Sequence, residues 1–213
     1  MDQKVEPRDF AIVVIGASYG GVEAMQKLFA NLPSTIPAAI FTVLHIGPHP
    51  SQFPDLLNGR SALPARHARQ GEPIRAGNIY VAPPDHHLLV RRGYVALSRG
   101  PRVNWARPAV DPLFRNAANA YGSGVIGVIL TGRLNDGTAG LYEVKRYGGI
   151  TIVQDPSDAL CPAMPASALK HVGVDHCVPM AGMPRILSQL CKDIASRSKE
   201  LSRVAATGGP SHG

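Results

Sequence analysis

FAIVVIGASYGGVEAMQKLFAN, running from Phe10 to Asn31, is the stretch on which the fold turns. Its first six residues, Phe10 to Ile15, are apolar without interruption, the pattern of a strand covered on both faces. Gly16 to Gly21 then makes a glycine-rich turn. From Val22 to Asn31 the apolar residues Val22, Met25, Leu28 and Phe29 recur at helical spacing on one face. A buried strand turning sharply into an amphipathic helix is the opening unit of an α/β fold.

The alternation continues outward from that unit. Ala38 to Leu44 reads as a second buried strand, and Ser51 to Asn58 as a short helix capped by Ser51. Farther on, Val125 to Leu130 and Ile150 to Val153 read as strands. Pro108 to Tyr121, Thr138 to Tyr147, Pro165 to Lys170 and Met183 to Ile194 carry helical periodicity. Asn78 to Ala82, Leu88 to Val90 and Tyr94 to Leu97 look like short strands joined by tight turns, one of them Arg91-Arg92-Gly93, which predicts an antiparallel hairpin appended to the sheet. The expected fold class is therefore α/β, a three-layer α/β/α sandwich with a mainly parallel, doubly wound sheet and a small antiparallel hairpin.

The length of 213 residues is enough for one core without metal or disulfide staples. One domain over residues 10–194 is expected, preceded by an arm at residues 1–9. The Ser/Gly/Lys-rich tail, residues 195–213, has nothing to bury and is expected to be disordered. The start has no apolar targeting segment and no apolar run reaches the ~18 residues of a membrane span, so a cytoplasmic protein is expected. Cys161, Cys177 and Cys191 are odd in number and lack C-x-x-C spacing, which points to neither a disulfide framework nor a zinc knuckle. His171, His176 and Cys177 are better read as a thiol between ordinary histidines than as metal ligands, and no metal or cofactor is expected.

Charge is unevenly spread. The formal net charge is +7, and +6 of it lies between Asp55 and Arg115, where ten arginines face four acids and no lysine occurs. Arginine makes planar, two-pronged contacts with carboxylates and phosphates. A solvated surface and a docking face for an acidic partner both remain open. A nucleic-acid surface is disfavoured, because Trp105 is the only tryptophan and the segment carries no recognised nucleic-acid motif.

Chemistry is best sought at the turns after the strands. Gly16-Ala17-Ser18-Tyr19-Gly20 spells G-x-S-x-G between a strand and a helix, a context that can push a serine out as a nucleophile. Such a hydroxyl needs a histidine to take its proton and a carboxylate to hold that histidine. His45 follows the second strand, and Asp136 lies in the polar turn after Val125 to Leu130. All three therefore sit at carboxyl ends of parallel strands, the edge where open α/β sheets bind ligands. Each also has a plainer reading: His45 as a hydrogen-bonded strand cap, and Asp136 or Asn135 as the cap of the next helix. The chain order Ser18, His45, Asp136 argues against an ordinary lipase or esterase fold, in which the acid precedes the histidine. A nucleotide- or phosphate-binding signalling module using Gly16 to Gly21 also remains open, although the loop lacks both G-x-G-x-x-G and G-K-[ST].

At these residues the sequence resembles the catalytic domain of chemotaxis protein-glutamate methylesterases, the CheB type, from about Phe10 to Leu190. The resemblance rests on Val14 to Ser18 with Gly20-Gly21, Leu44-His45, Asn78 to Pro83, Arg107-Pro108 with Asp111 and Leu113-Phe114, Leu130-Thr131-Gly132 with Asn135-Asp136-Gly137, Gln154-Asp155 and Met164-Pro165. It implies Ser18 as nucleophile, His45 as general base and acid, and Asp136 as the group orienting the imidazole. The implied reaction is hydrolysis of glutamyl methyl esters on chemoreceptors with release of methanol, and in some members receptor glutamine deamidation. The methylated receptor would be the partner, the enzyme a monomer reaching the membrane only through that receptor. Backbone amides of Gly132, Arg133 and Leu134, with those near Tyr19, are the expected oxyanion donors. Two departures from the family stand out: Tyr19 stands where threonine is usual, and Arg133-Leu134 where Met-Gly is usual. Many relatives carry an N-terminal receiver domain; with nine residues before the first strand, this chain is expected to be a catalytic domain standing alone.

Overall fold

The computed structural model describes residues 9–47 and 49–207. Seven strands form one sheet in the order β3-β4-β2-β1-β7-β8-β9, every neighbouring pair parallel. They are β1 (Ala11–Ala17), β2 (Ala38–Leu44), β3 (Ala65–His67), β4 (Asn78–Val81), β7 (Val125–Ile129), β8 (Ile150–Gln154) and β9 (His176–Val178). β5 (His87–Val90) and β6 (Val95–Ser98) make a separate antiparallel pair. The helices are α1 (Gly21–Ala30), α2 (Phe53–Asn58), α3 (Val110–Tyr121), α4 (Thr138–Arg146), α5 (Ala163–His171) and α6 (Met183–Thr207).

Two apolar cores sandwich the sheet, as the strand pattern demands. β1 and β2 are buried at every position, so alternate side chains feed opposite cores. Val13, Ile15 and Ile40 face α1, α2 and α6 through Met25, Leu28, Phe29, Leu57, Met183 and Leu187. Ile12, Val14 and Phe41 face α3, α4, α5 and the hairpin through Val110, Phe114, Leu141, Met164, Leu88 and Val95. Each large side chain buried in this way contributes roughly 1.5–3 kcal/mol. The three-layer architecture is thus as expected from the sequence.

Three local expectations are corrected. Asn78 to Ala82 does not belong with the hairpin; β4 pairs in parallel with β2 and β3 inside the main sheet, while β5 and β6 form their own sheet against α3. β3 and β9, of three residues each, have no counterpart in the sequence pattern. They are partly exposed edge strands and lack the continuous apolar run that marks a buried strand. The chain beyond Ala195 is helical: α6 runs on to Thr207, because its Ala, Lys, Arg, Glu and Leu residues are good helix formers and continue a helix already anchored by Met183, Leu187, Cys191 and Ile194. The rest of the tail, and the arm apart from residue 9, lie outside the described residues.

Topology positions the site. From β1 the chain passes to β2, runs out to β3 at one edge and comes back to β4 between them, then crosses to β7 on the other side of β1 and winds outward through β8 and β9. The strand order therefore reverses between β1 and β7, and a crevice opens there at the carboxyl edge.

Candidate active site

Ser18 directly follows β1 and His45 directly follows β2, whose last residues Ala17 and Leu44 are register partners. The His45 amide donates to Ala17 O (3.2 Å) and the Ser18 amide to Thr131 O (3.0 Å), so the ends of β1, β2 and β7 are stitched together around the serine. A tight turn returns the Gly21 amide to Ser18 O (2.8 Å) and launches α1. Gly20 makes this turn at φ 79°, a conformation that favours glycine. The Ser18 hydroxyl makes no hydrogen bond among the described residues and is free to turn.

Gly132 closes the other side of Ser18. A Cβ on Gly132 would stand 2.1 Å from Met164 Sδ and 2.9 Å from Ser18 Cβ, closer than real atoms approach. Only glycine lets the β7 loop pack against the serine. The loop is tied down from beneath: Gln154 Oε1 accepts the Thr131 amide (2.9 Å), and Thr131 Oγ1 donates to Tyr19 O (3.0 Å). Gln154 and Thr131 are thus the reason that sequence pieces far from Ser18 matter to its position.

Asp136 is 2% exposed and accepts four hydrogen bonds. Its Oδ2 takes His45 Nε2 (2.7 Å) and the Val110 amide (2.7 Å); its Oδ1 takes Asn104 Nδ2 (2.8 Å) and the Asp111 amide (3.2 Å). The two amides belong to the first turn of α3, where unpaired N–H groups and the helix dipole favour a negative charge. Burial pushes the Asp136 carboxyl up, but hydrogen bonds from His45, Val110 and Asn104 together outweigh it and hold the group below its ordinary value. An ionised Asp136 can only accept, so His45 Nε2 carries the proton and Nδ1 keeps a lone pair. The imidazole is thereby oriented through the ring nitrogen opposite to the one used in chymotrypsin-like triads.

A second carboxylate mirrors the first. Asp111, on α3, accepts the Gly137 (3.1 Å) and Gly140 (2.6 Å) amides at the start of α4, and its Oδ2 takes the same Asn104 Nδ2 (2.9 Å). Asp136, in the loop leading into α4, caps α3, and Asp111 of α3 caps α4. Burial, and then the charge of Asp136, raise the Asp111 carboxyl above its ordinary value. Asn104 bridges the two carboxylates from the first position of a two-residue turn in which it and Trp105 have φ 51° and 64°. Asparagine tolerates that left-handed backbone. Nothing in the sequence around Asn104 announces this role, because the contact is made across 32 residues.

The expected oxyanion donors divide. The Gly132 amide is committed to Cys161 O (3.0 Å) and is removed from the set. The amides of Tyr19, Arg133 and Leu134 have no acceptor among the described residues. Leu134 adopts φ 63°, in the left-handed region that favours glycine. The side chains of Tyr19, Leu134, Trp105 and Leu160 are exposed near these turns. His171 ends α5, whereas His176 and Cys177 lie on β9, and among the described residues no cluster of three His, Cys, Asp or Glu side chains is placed to hold a metal ion. Among the same residues no helix is long and apolar enough to cross a membrane.

Comparison with known proteins identifies the family. The family model described as CheB methylesterase matches residues 13–187. A putative protein-glutamate methylesterase/protein-glutamine glutaminase of Leptospira interrogans is 36% identical over 184 residues, covering 85% of this chain and 95% of the relative. A protein-glutamate methylesterase/protein-glutamine glutaminase from Hydrogenovibrio crunogenus is 36% identical over 198 residues, covering 89% of this chain, which spans 53% of that relative's length. The crystal structure of the Thermotoga maritima CheB methylesterase catalytic domain superposes with a TM-score of 0.81 at 37% identity, covering 84% of this chain and 98% of that one. With a model match across most of its length and these relatives, the chain belongs to the CheB methylesterase family.

Proposed function

We propose that this protein hydrolyses methyl esters of protein glutamate side chains on chemoreceptors, in the cytoplasm, through an acyl-enzyme on Ser18. The observation that carries the reading is the 2.7 Å bond between His45 and a buried, ionised Asp136, beside a serine set on the neighbouring strand end. His45 Nδ1 takes the Ser18 proton as Oγ attacks the ester carbonyl carbon, and returns it to the departing methoxide, which leaves as methanol. Water then attacks the acyl-enzyme, with His45 again accepting a proton and handing it back to Ser18. Asp136 stays ionised and supports the imidazolium formed in each step. Free amides of Tyr19, Arg133 and Leu134 supply donors for the developing oxyanion, and one such donor is worth ~10²–10³ in rate. Attack on a glutamine amide would follow the same path with ammonia leaving, as the glutaminase designation of the relatives suggests.

The arginine-rich stretch supports receptor docking only in part. Arg66 is paired with Glu72 and Arg107 with Asp85, both at 2.6 Å, so these two cations serve the fold. Arg91 stands exposed at the hairpin turn and remains suited to an acidic partner.

Methanol release from methylated receptor membranes, measured for the wild type beside Ser18→Ala, tests the reading. Turnover lost in Ser18→Ala, with a fluorophosphonate labelling only the wild type at Ser18, is the expected result. Undiminished methanol release by Ser18→Ala removes the mechanism.

A further inference from the structure

We infer that Tyr19 and Arg133 together form a subsite that reads a carboxylate on the substrate next to the scissile ester. The inference rests on the esterase reading above and names a specificity element within it. The Arg133 guanidinium carbon lies 4.6 Å over the centroid of the Tyr19 ring, a cation–π stack. Tyr19 immediately follows the nucleophile, and Arg133 immediately follows the glycine that packs against Ser18 Cβ. The residue after the nucleophile and the residue after its backing glycine therefore touch each other, at the mouth of the site.

Two features make the pair a recognition device. Arg133 is exposed and forms no ion pair among the described residues, in contrast to Arg66 and Arg107, so its charge is not spent inside the protein. The Tyr19 ring holds the guanidinium by its π face, and a guanidinium without an acidic partner can fork onto a carboxylate. The bond from Thr131 Oγ1 to Tyr19 O and that from the Ser18 amide to Thr131 O fix the two segments relative to each other. The stack is thus largely preorganised, which lowers the entropic cost of capturing a ligand. The chemistry fits an Asp or Glu side chain near the methylated residue of a protein substrate.

The test compares two synthetic peptides carrying one glutamyl methyl ester and differing only in whether a neighbouring residue is Glu or Gln. For the wild type, kcat/KM should favour the Glu peptide by roughly 2- to 5-fold, the range of an exposed charge pair. That preference should shrink as ionic strength rises from about 0.01 to 1 M, where the screening length falls from ~30 to ~3 Å. Arg133→Gln and Tyr19→Leu should bring the ratio close to one, whereas Tyr19→Phe, which keeps the ring, should retain it. A ratio of rates on one enzyme cancels any general loss of activity. Equal rates in the wild type, or a preference that survives in Arg133→Gln, overturn the inference. The corresponding unesterified peptides titrated against Ser18→Ala read the same preference without turnover. Failure to hydrolyse either ester therefore counts against the esterase reading, and equal affinities count against the subsite.

Discussion

Asp136→Asn should damage the rate and the stability together, and the size of each effect follows from the four hydrogen bonds that the carboxylate accepts. An asparagine has one acceptor oxygen and one NH₂ group. Turned one way, its NH₂ meets the Val110 amide and His45; turned the other, it meets Asn104 and the Asp111 amide. Two buried donors lose their acceptor in either case, at about 1–3 kcal/mol each, and the cap of α3 is weakened by about 1 kcal/mol. Part of this is relieved by relaxation and by a switch of imidazole tautomer, which leaves about 2–4 kcal/mol. For a chain of this length that corresponds to a fall in Tm of about 5–15 °C. The tautomer switch puts the proton on Nδ1, the nitrogen that must receive the Ser18 proton, so kcat should drop ~10⁴-fold, the scale seen when a triad carboxylate is neutralised in a serine protease. Thermal unfolding and methanol release measured on the same preparations give the answer, with Ser18→Ala as the control that loses turnover and keeps its Tm. An Asp136→Asn protein that melts within about 2 °C of the wild type would refute the capping argument, whatever its rate.

Three further outcomes follow from the same geometry. Asn104→Gly keeps the left-handed backbone but removes the bridge between the carboxylates, so a loss of about 1.5 kcal/mol in urea unfolding and a kcat lower by about tenfold are expected, neither of them adding fully to the effects of Asp136→Asn. Gly132→Ala should lower kcat by about 10²-fold and stability by about 1–3 kcal/mol, because the new methyl displaces Ser18 and the buried Met164; a wild-type rate would show that the serine is not held by this contact. Asp136 has a lowered pKa in the fold, so its stabilisation is present above the ordinary value of 3.8 and is lost as pH falls through the folded value, whereas Asp111, raised by burial and by Asp136, costs stability as pH climbs from 3.8 through its own folded value. Urea midpoints followed from pH 6 to pH 2.5 should therefore fall less steeply at the acid end for Asp136→Asn than for the wild type.

What could be read from the sequence was whatever periodicity or chain order encodes locally. β1, β2, β7 and β8 are predominantly apolar runs because both sheet faces are covered, and each names itself. β4 looks like a hairpin strand because β5 and β6 follow it closely along the chain, while β2, one of its two partners in space, lies some forty residues before it and the other, β3, is a three-residue edge strand without an apolar run. Ser18, His45 and Asp136 were readable because the end of a buried strand is visible in the sequence, and parallel strands share that edge. Asn104, Gln154 and Asp111 act on the site through hydrogen bonds made across 23 to 32 residues, which no local pattern records. The commitment of the Gly132 amide to Cys161 O was hidden for the same reason.

The two halves of the site are held by different physics, and this bears on how it works. The acid–base half is over-determined: the carboxylate that orients His45 also closes the first turn of α3, while Asp111 on α3 closes the first turn of α4, and Asn104 ties the two together. Any rotation of Asp136 away from the imidazole would unpair helix amides in a buried setting, at about 1–3 kcal/mol apiece, so the ring is held by the stability of the fold itself. The nucleophile half is set by sterics instead, with Ser18 backed by a glycine and its hydroxyl left without an internal partner. A hydroxyl held by a strong bond would have to break that bond before attacking a carbonyl. A free one adjusts to each ester presented while its base stays fixed. On this reasoning, substitutions around Asn104 and Asp111 should alter kcat through the imidazole, whereas those at Tyr19 and Arg133 should alter which esters are chosen.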